Sequence, residues 1–238
     1  MKTIQFLSLI VLITAVSSCC IDTHESVFGN GNVVSEERSI GDFERLKVSS
    51  GIDVFIKQGT GVSLMLEADE NLLDVIKTEV VDNTLKIYTS KNVRRSRSMK
   101  VYLVYEDLNS IRVSSAGDVR GENTLQTDKL NIDLSSAGDL ELDLQADEVN
   151  CEISSSGDAS LTGSTRVLVA DLSSAGDLHA YELIAEKCKI SCSSAGDARV
   201  FASEEFDLRS SSAGSIYYKG DGNIVSVHTS SAGSIVKK

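Results

Sequence analysis

The sequence predicts an all-β fold, a right-handed parallel β-helix or β-solenoid with coils of about 19–20 residues. Three observations predict it. A five-residue motif, consensus S-S-A-G-D, recurs seven times in the second half of the chain. The residues around it alternate apolar and polar, the period of a strand with one buried face. The chain has no proline, as suits a backbone whose N–H groups nearly all belong to ladders.

The motif glycines fall at 117, 138, 157, 176, 196, 214 and 233. A fixed period in this range is the signature of stacked units. One position before the motif stand Val113, Leu134, Ile153, Leu172, Cys192, Ser210 and Thr229. Three before stand Ile111, Ile132, Cys151, Ala170, Ile190, Leu208 and Val227. Five before stand Asn109, Leu130, Val149, Leu168, Cys188, Phe206 and Val225. These columns form the candidate core. A second alternation follows the glycine, as in Leu140, Leu142 and Leu144. Each unit therefore reads as strand, tight turn, strand and a variable return such as Gln145–Glu148. Positive φ is expected at the glycine, where it costs that residue little. Equivalent strands should stack in parallel, and parallel crossovers wind right-handed by default.

The first half is less regular. Leu46–Asp53 reads L-K-V-S-S-G-I-D, a degenerate copy of the turn, and strand-like runs follow at 53–57, 63–67, 84–89 and 100–105. Leu72, Leu73 and Ile76 share a helical face, so a short helix is expected within 70–80. Residues 32–108 are read as irregular early coils or a cap, and 109–238 as the regular repeats. The two together form one β-helix domain; an independent N-terminal domain is the alternative.

Residues 1–18 read as a lipoprotein signal peptide. Lys2 supplies the charged start, and Phe6–Val16 is apolar but too short to span a bilayer. The segment ends V-S-S-C, and an aliphatic residue, two small residues and a cysteine resemble a bacterial lipobox. Cys19 is the expected lipidation site; an ordinary secretory signal cut nearby is the alternative. Lipid there would anchor the chain to a membrane of the cell envelope without spanning it, with residues 19–31 as a tether.

The formal net charge is −12, which argues against a nucleic-acid partner. One basic knot stands out: Lys91, Arg94, Arg95, Arg97 and Lys100. It reads as a solvated loop or as a patch for an anionic ligand. Cys151, Cys188 and Cys192 fall on inward positions and read as buried apolar thiols. His24, His179 and His228 are scattered, and no C-x-x-C occurs, so no metal site or cofactor is predicted.

Stacking the repeats stacks Asp118, Asp139, Asp158, Asp177 and Asp197 in one column. Unit charges ~5 Å apart repel by about 0.8 kcal/mol even in water. The expected relief is a set of backbone N–H bonds to each carboxylate at its own turn, with serine hydroxyls bonding along the stack. Bound calcium is the sharper alternative. Enzyme chemistry finds little support. No nucleophile–base set stands apart from the repeat, there is no tryptophan, and aromatic residues make up 5%. Catalytic residues are therefore expected to be none. Function is expected on the variable returns and outward strand faces.

Several runs together resemble one family: G-N-G-N-V-V (29–34), F-E-R-L-K-V-S-S-G-I-D-V-F-I-K-Q-G (43–59), L-E-A-D-E-N-L-L (66–73) and the S-S-A-G-D repeats. They resemble the autotransporter adhesin head GIN domain family of Bacteroides-like lipoproteins, over residues 29–238. The resemblance implies a right-handed parallel β-helix of pectate-lyase-like shape and no inherited catalytic residues. The expected function is a non-enzymatic, lipid-anchored envelope module for adhesion or ligand binding, with a glycan or protein as partner. The alternatives are a carbohydrate-active envelope protein and a scaffold that self-stacks as a homo-oligomer, since a bare solenoid end templates strand addition.

Overall fold

The computed structural model describes residues 25–238. The expected signal peptide, residues 1–18, and the expected lipidation site Cys19 lie outside them. Among the described residues, one 17-stranded sheet carries nearly everything, beside a two-stranded sheet that pairs Ser26–Phe28 with Asn92–Arg95. The sheet is a β-solenoid of parallel stacked coils. From Leu125 onward each coil lies directly on the last. Asp139–Ile153 pairs in register with Asp158–Leu172, which pairs with Asp177–Cys192, which pairs with Asp197–Ser210.

The core columns follow the alternation. Ile111, Ile132, Cys151, Ala170, Ile190 and Leu208 are all buried, as are Leu140, Leu142 and Leu144. The three thiols are free and buried, and burial pushes each up to about 12. The last coil departs from the pattern. A register shift places Ile224, not Val225, opposite Phe206. Ile224, Val225 and Val227 are about half exposed or more, because no strand among the described residues stacks over them.

The turn is built differently from the expectation. In all seven copies the second and third motif residues, not the glycine, take positive φ, at 47–53° and 57–63°. A left-handed conformation costs an L-residue roughly 1–2 kcal/mol. Backbone bonding offsets that cost. In the Ser173–Asp177 turn, Gly176 N–H closes the turn on Ser173 O at 3.0 Å. Ser173 and Asp177 N–H donate to the preceding coil, and Ala175 N–H donates to Ser194 O of the next. The glycine is required for a different reason: it points inward against the coil beneath. A Cβ on Gly176 would lie 2.6 Å from Ile153 O, and one on Gly138 would lie 2.5 Å from Val113 O.

The first half departs further. The coils do not stack in chain order. Arg45–Val48 lies between Thr84–Thr89 and Ser110–Val113, and Asp53–Gln58 lies between Met99–Tyr105 and Asp118–Gly121. The earliest coil is thus held between two later ones. Beyond Thr84–Tyr105 the parallel stack ends in antiparallel strands: Ser63–Asp69, Val33–Arg38 and Ile76–Val81. Antiparallel strands at that end cover the open ladder, which would otherwise template further pairing. The helix expected within 70–80 is only a 3₁₀ turn, Glu70–Leu72, followed by a strand. Leu72 and Ile76 are buried on separate elements, so their helical spacing is fortuitous.

The span expected as tether is structured from Ser26 onward. Asp69, 1% exposed, fixes it there. Its carboxylate accepts N–H bonds from Gly31 at 3.0 Å, Arg97 at 3.0 Å and Ser98 at 3.2 Å. Burial alone would raise the Asp69 carboxyl. The three donors and the nearby Arg97 charge outweigh burial and hold it below its ordinary value.

Two substitutions separate the roles within one turn. Gly176→Ala should destabilise by about 2–3 kcal/mol through overpacking. Ala175→Gly should stay within about 0.5 kcal/mol, because relief of left-handed strain offsets the added chain entropy. Denaturant melts of the two variants check this; equal losses would contradict it.

Candidate functional site: a polar groove at the corner opposite the turns

Two outward surfaces run along the stack. One is the acidic column beside the turns. It is longer than the motif suggested, because Asp53 stands in register with Asp118 and Lys100 with Asp53. Ser49-Ser50-Gly51-Ile52-Asp53 is a full turn of the same length, with Ser50 at φ 70° and Gly51 at φ 66°. The degenerate L-K-V-S-S-G-I-D run was the signal for Asp53. At the far end Ser215 and Ser234 replace the aspartates.

The expected backbone and serine bonds do not relieve this column. Among the described residues, no backbone N–H donates to a carboxylate of Asp118, Asp139, Asp158, Asp177 or Asp197. Flanking basic side chains act instead. Arg120 donates twice to Asp118, at 3.2 and 2.7 Å. His179 Nε2 lies 3.4 Å from Asp158, and Arg199 lies 3.1 Å from His179 Nδ1. These residues stand two positions past the aspartate, on the same face, so they reach the column from the side. Asp139 and Asp177 remain raised above the ordinary carboxylate value. Partial burial is the main cause, and repulsion from column neighbours adds to it. The described residues bring no three ligating side chains together as a metal centre: the column offers one carboxylate per coil.

Further along this face lie two half-buried aromatics, Tyr181 and Tyr217. Lys219 Nζ sits 4.2 Å from the centre of the Tyr181 ring. Tyr217 lies between Arg199 at 5.8 Å and Lys238 at 5.0 Å. These rings already hold cations of the same chain. Tyr218 alternates inward, where it packs on Phe206 with ring centres 4.9 Å apart.

The second surface is a groove of about 1000 Å³ at the opposite corner. It is made by the returns. Thr127, Ala146, Thr165 and Ala185 are stacked in register there, and the last three are buried. Residues this small leave a concave floor. The next residue of each coil, Asp128, Asp147, Arg166 and Glu186, falls in a gap between paired positions. There the strand turns its corner and the side chain projects over the groove. The preceding row is Gln126, Gln145, Ser164 and Ile184. Ile184 is 49% exposed, an apolar platform among amides and a hydroxyl. Glu44, Asp107, Asp128, Asp147 and Glu186 face only Lys129 and Arg166 in the lining, and Arg166 is 3.4 Å from Asp147. The groove is therefore polar, acid-rich and without aromatic residues. The sequence pointed to Gln145–Glu148 as a return but gave no sign that successive returns form one depression.

A family model described as "Putative auto-transporter adhesin, head GIN domain" matches residues 42–222. The chain belongs to this family. Its structure resembles the crystal structure of a "putative adhesin" from Bacteroides fragilis, at 26% identity and a TM-score of 0.84 over 89% of this chain and 100% of that one. It also resembles a "putative lipid binding protein" from Parabacteroides distasonis, at 24% identity and a TM-score of 0.76 over 90% and 100%. A "putative adhesin" from the same species matches at 22% and 0.72, over 90% of this chain and 100% of that one. No curated protein matches the chain.

The column predicts an unusual pH response. Asp139 and Asp177 hold their protons more tightly folded than unfolded. Their ionisation therefore costs stability at neutral pH, and stability is regained as pH falls through their raised values toward about 3.9. Asp177→Asn should raise the melting temperature at pH 7 and reduce the gain on acidification. Melts from pH 7 to pH 4 check this; a lower melting temperature for the variant at pH 7 would contradict it.

Proposed function

We propose that this chain is a non-enzymatic, lipid-anchored module of the cell envelope that binds an extended, uncharged glycan along the corner groove. The observation that carries this reading is the groove itself. A polar depression crosses several coils and presents an equivalent row of side chains every ~4.8 Å, which suits a ligand that is also a repeat. Five carboxylates against two cations in the lining disfavour polyanionic glycans. Amides, a hydroxyl and the Ile184 platform suit neutral sugars, which present both hydroxyls and C–H faces. Adhesion through such binding agrees with the family. Anchoring rests on the V-S-S-C run ending at Cys19.

The non-enzymatic reading rests on the shape of the site. Glycoside hydrolysis needs two carboxyl groups in distinct roles on either side of one bond. Here acids recur along a row, and Asp147 is paired with Arg166. Binding along a rigid ladder needs no such pair.

A glycan array probed with the mature protein should give neutral-glycan hits, with no products after prolonged incubation. Gln145→Ala combined with Ile184→Ser should weaken those hits at least tenfold and leave the melting temperature nearly unchanged, since both residues face outward. Hits indifferent to the double variant would remove the groove from the proposal, and released oligosaccharides would replace the binder with an enzyme.

A further inference from the structure

The capped end of the solenoid carries a feature that the groove does not use. The chain is acidic overall, at −12, yet Lys91, Arg94, Arg95 and Arg97 cluster on and beside one short strand. Asn92–Arg95 pairs with Ser26–Phe28, and the register shifts between Val27 and Phe28. Arg94, Arg95 and Arg97 are all exposed. Arg94 Nε donates to Ser26 Oγ at 3.2 Å, and Lys91 pairs with Glu25 at 2.8 Å. Phe28 stands opposite Arg95 and is 64% exposed, the most exposed large apolar residue described.

This surface is held rigidly. Gly29 N–H donates to Arg95 O at 2.7 Å. Asp69 accepts the N–H groups of Arg97 and Ser98 on one side and of Gly31 on the other. Its carboxylate thus fixes the backbone on both flanks of the strand pair, while the arginine head groups stay in solvent. A cavity of about 700 Å³ opens beside the same strand, lined in part by Ser50, Ser90, Lys91, Asn92 and Ser115. One cation with hydroxyl and amide donors around a cavity suits a phosphate-bearing head group.

We infer that this end of the solenoid docks on an anionic lipid surface, with Phe28 entering the interface and Arg94, Arg95 and Arg97 engaging lipid phosphates. Two observations favour a membrane over a soluble polyanion. Arg95 stands opposite an exposed aromatic ring, which a polyanion does not need and an interface accepts. Cys19 precedes Glu25 by six residues, a reach of at most about 22 Å, so a lipid there would bring this end to the bilayer first. Only the second argument rests on the anchoring reading. Basic residues near an anionic surface and a lipid chain are complementary signals, neither sufficient alone for stable attachment. Docked in this way, the solenoid would stand end-on, its groove running away from the membrane.

The test uses the mature chain with Cys19→Ser, so its outcome does not depend on acylation. The protein has no tryptophan, which makes Phe28→Trp a single fluorescent reporter. With vesicles containing phosphatidylglycerol, its emission should shift to the blue and be quenched by brominated acyl chains. Neutral phosphatidylcholine vesicles should leave it unchanged. Arg94→Gln, Arg95→Gln and Arg97→Gln together should weaken vesicle binding roughly 100-fold, with the melting temperature preserved. Absence of binding to the anionic vesicles, or binding that survives the triple variant, would overturn the inference. Binding to heparin without bromolipid quenching on vesicles would overturn it in favour of a soluble polyanion.

Discussion

The close approach of each turn glycine to the coil beneath it governs this structure. At five of the seven motif corners an added Cβ would lie within 2.9 Å of a neighbouring atom. With a methyl group at Gly138 or Gly176, a carbonyl oxygen of the preceding coil would have to move by several tenths of an ångström. The inward glycine lets adjacent backbones come to ladder distance at the sharpest bend of the coil. Once that spacing is met, the strands on either side fall into register. The inward columns then stack apolar on apolar, as in Ile111 on Ile132, Leu125 on Leu144 and Leu142 on Leu161. The strained second and third residues of each turn are tolerated because their coil-to-coil bonds form only at that spacing.

The same register has an electrostatic consequence. Parallel in-register stacking places like on like, so a repeat that ends in aspartate makes a line of negative charge. The chain does not neutralise this line with backbone donors, since in a stacked turn such as Ser173–Asp177 four of the five N–H groups are already committed to the neighbouring coils and to turn closure. It uses the neighbouring outward position, where coil-specific residues such as Arg120, His179 and Arg199 are free to vary. Structural duty thus falls on the conserved spelling of the repeat, and chemical individuality falls on the positions between. The corner groove obeys the same division. Its floor is small because the core demands it, and its rows of amides, acids and a single isoleucine are what the repeat leaves free.

The capped end shows how a repeat fold stops. Antiparallel strands cover the first ladder, and the earliest coil is enclosed by two later ones. Its contacts are therefore distant in sequence, and closing them requires much of residues 45–121 to be in place together. Asp69 joins the entering segment to the loop at 97–98, so a buried carboxylate stands where a continuing solenoid would have placed another coil. That end is also where the cations of an otherwise acidic chain collect, which gives the molecule two chemically distinct poles.

Much of this was legible in the residues. The period, the alternation and the absence of proline sufficed for a parallel solenoid, because a strand with one buried face and a fixed repeat has few ways to hide its apolar columns. The returns were recognisable as the variable part of each unit. Other features required the tertiary structure. Which turn residue bears positive φ depends on how closely the next coil approaches, and glycine's usual preference points to the wrong position. The order of the first coils depends on pairing between segments some sixty residues apart, as at Leu46 and Ile111, which no local pattern encodes. Leu72, Leu73 and Ile76 carry a helical spacing that strand pairing with Thr84–Thr89 overrides. The groove exists only because small residues from successive coils stack at one corner. Sequence by itself determined the unit and its core, because those are set by periodic burial within about twenty residues. Tertiary structure alone decided the stacking order, the strained turn and the two candidate binding surfaces, because each depends on where one coil lies against another.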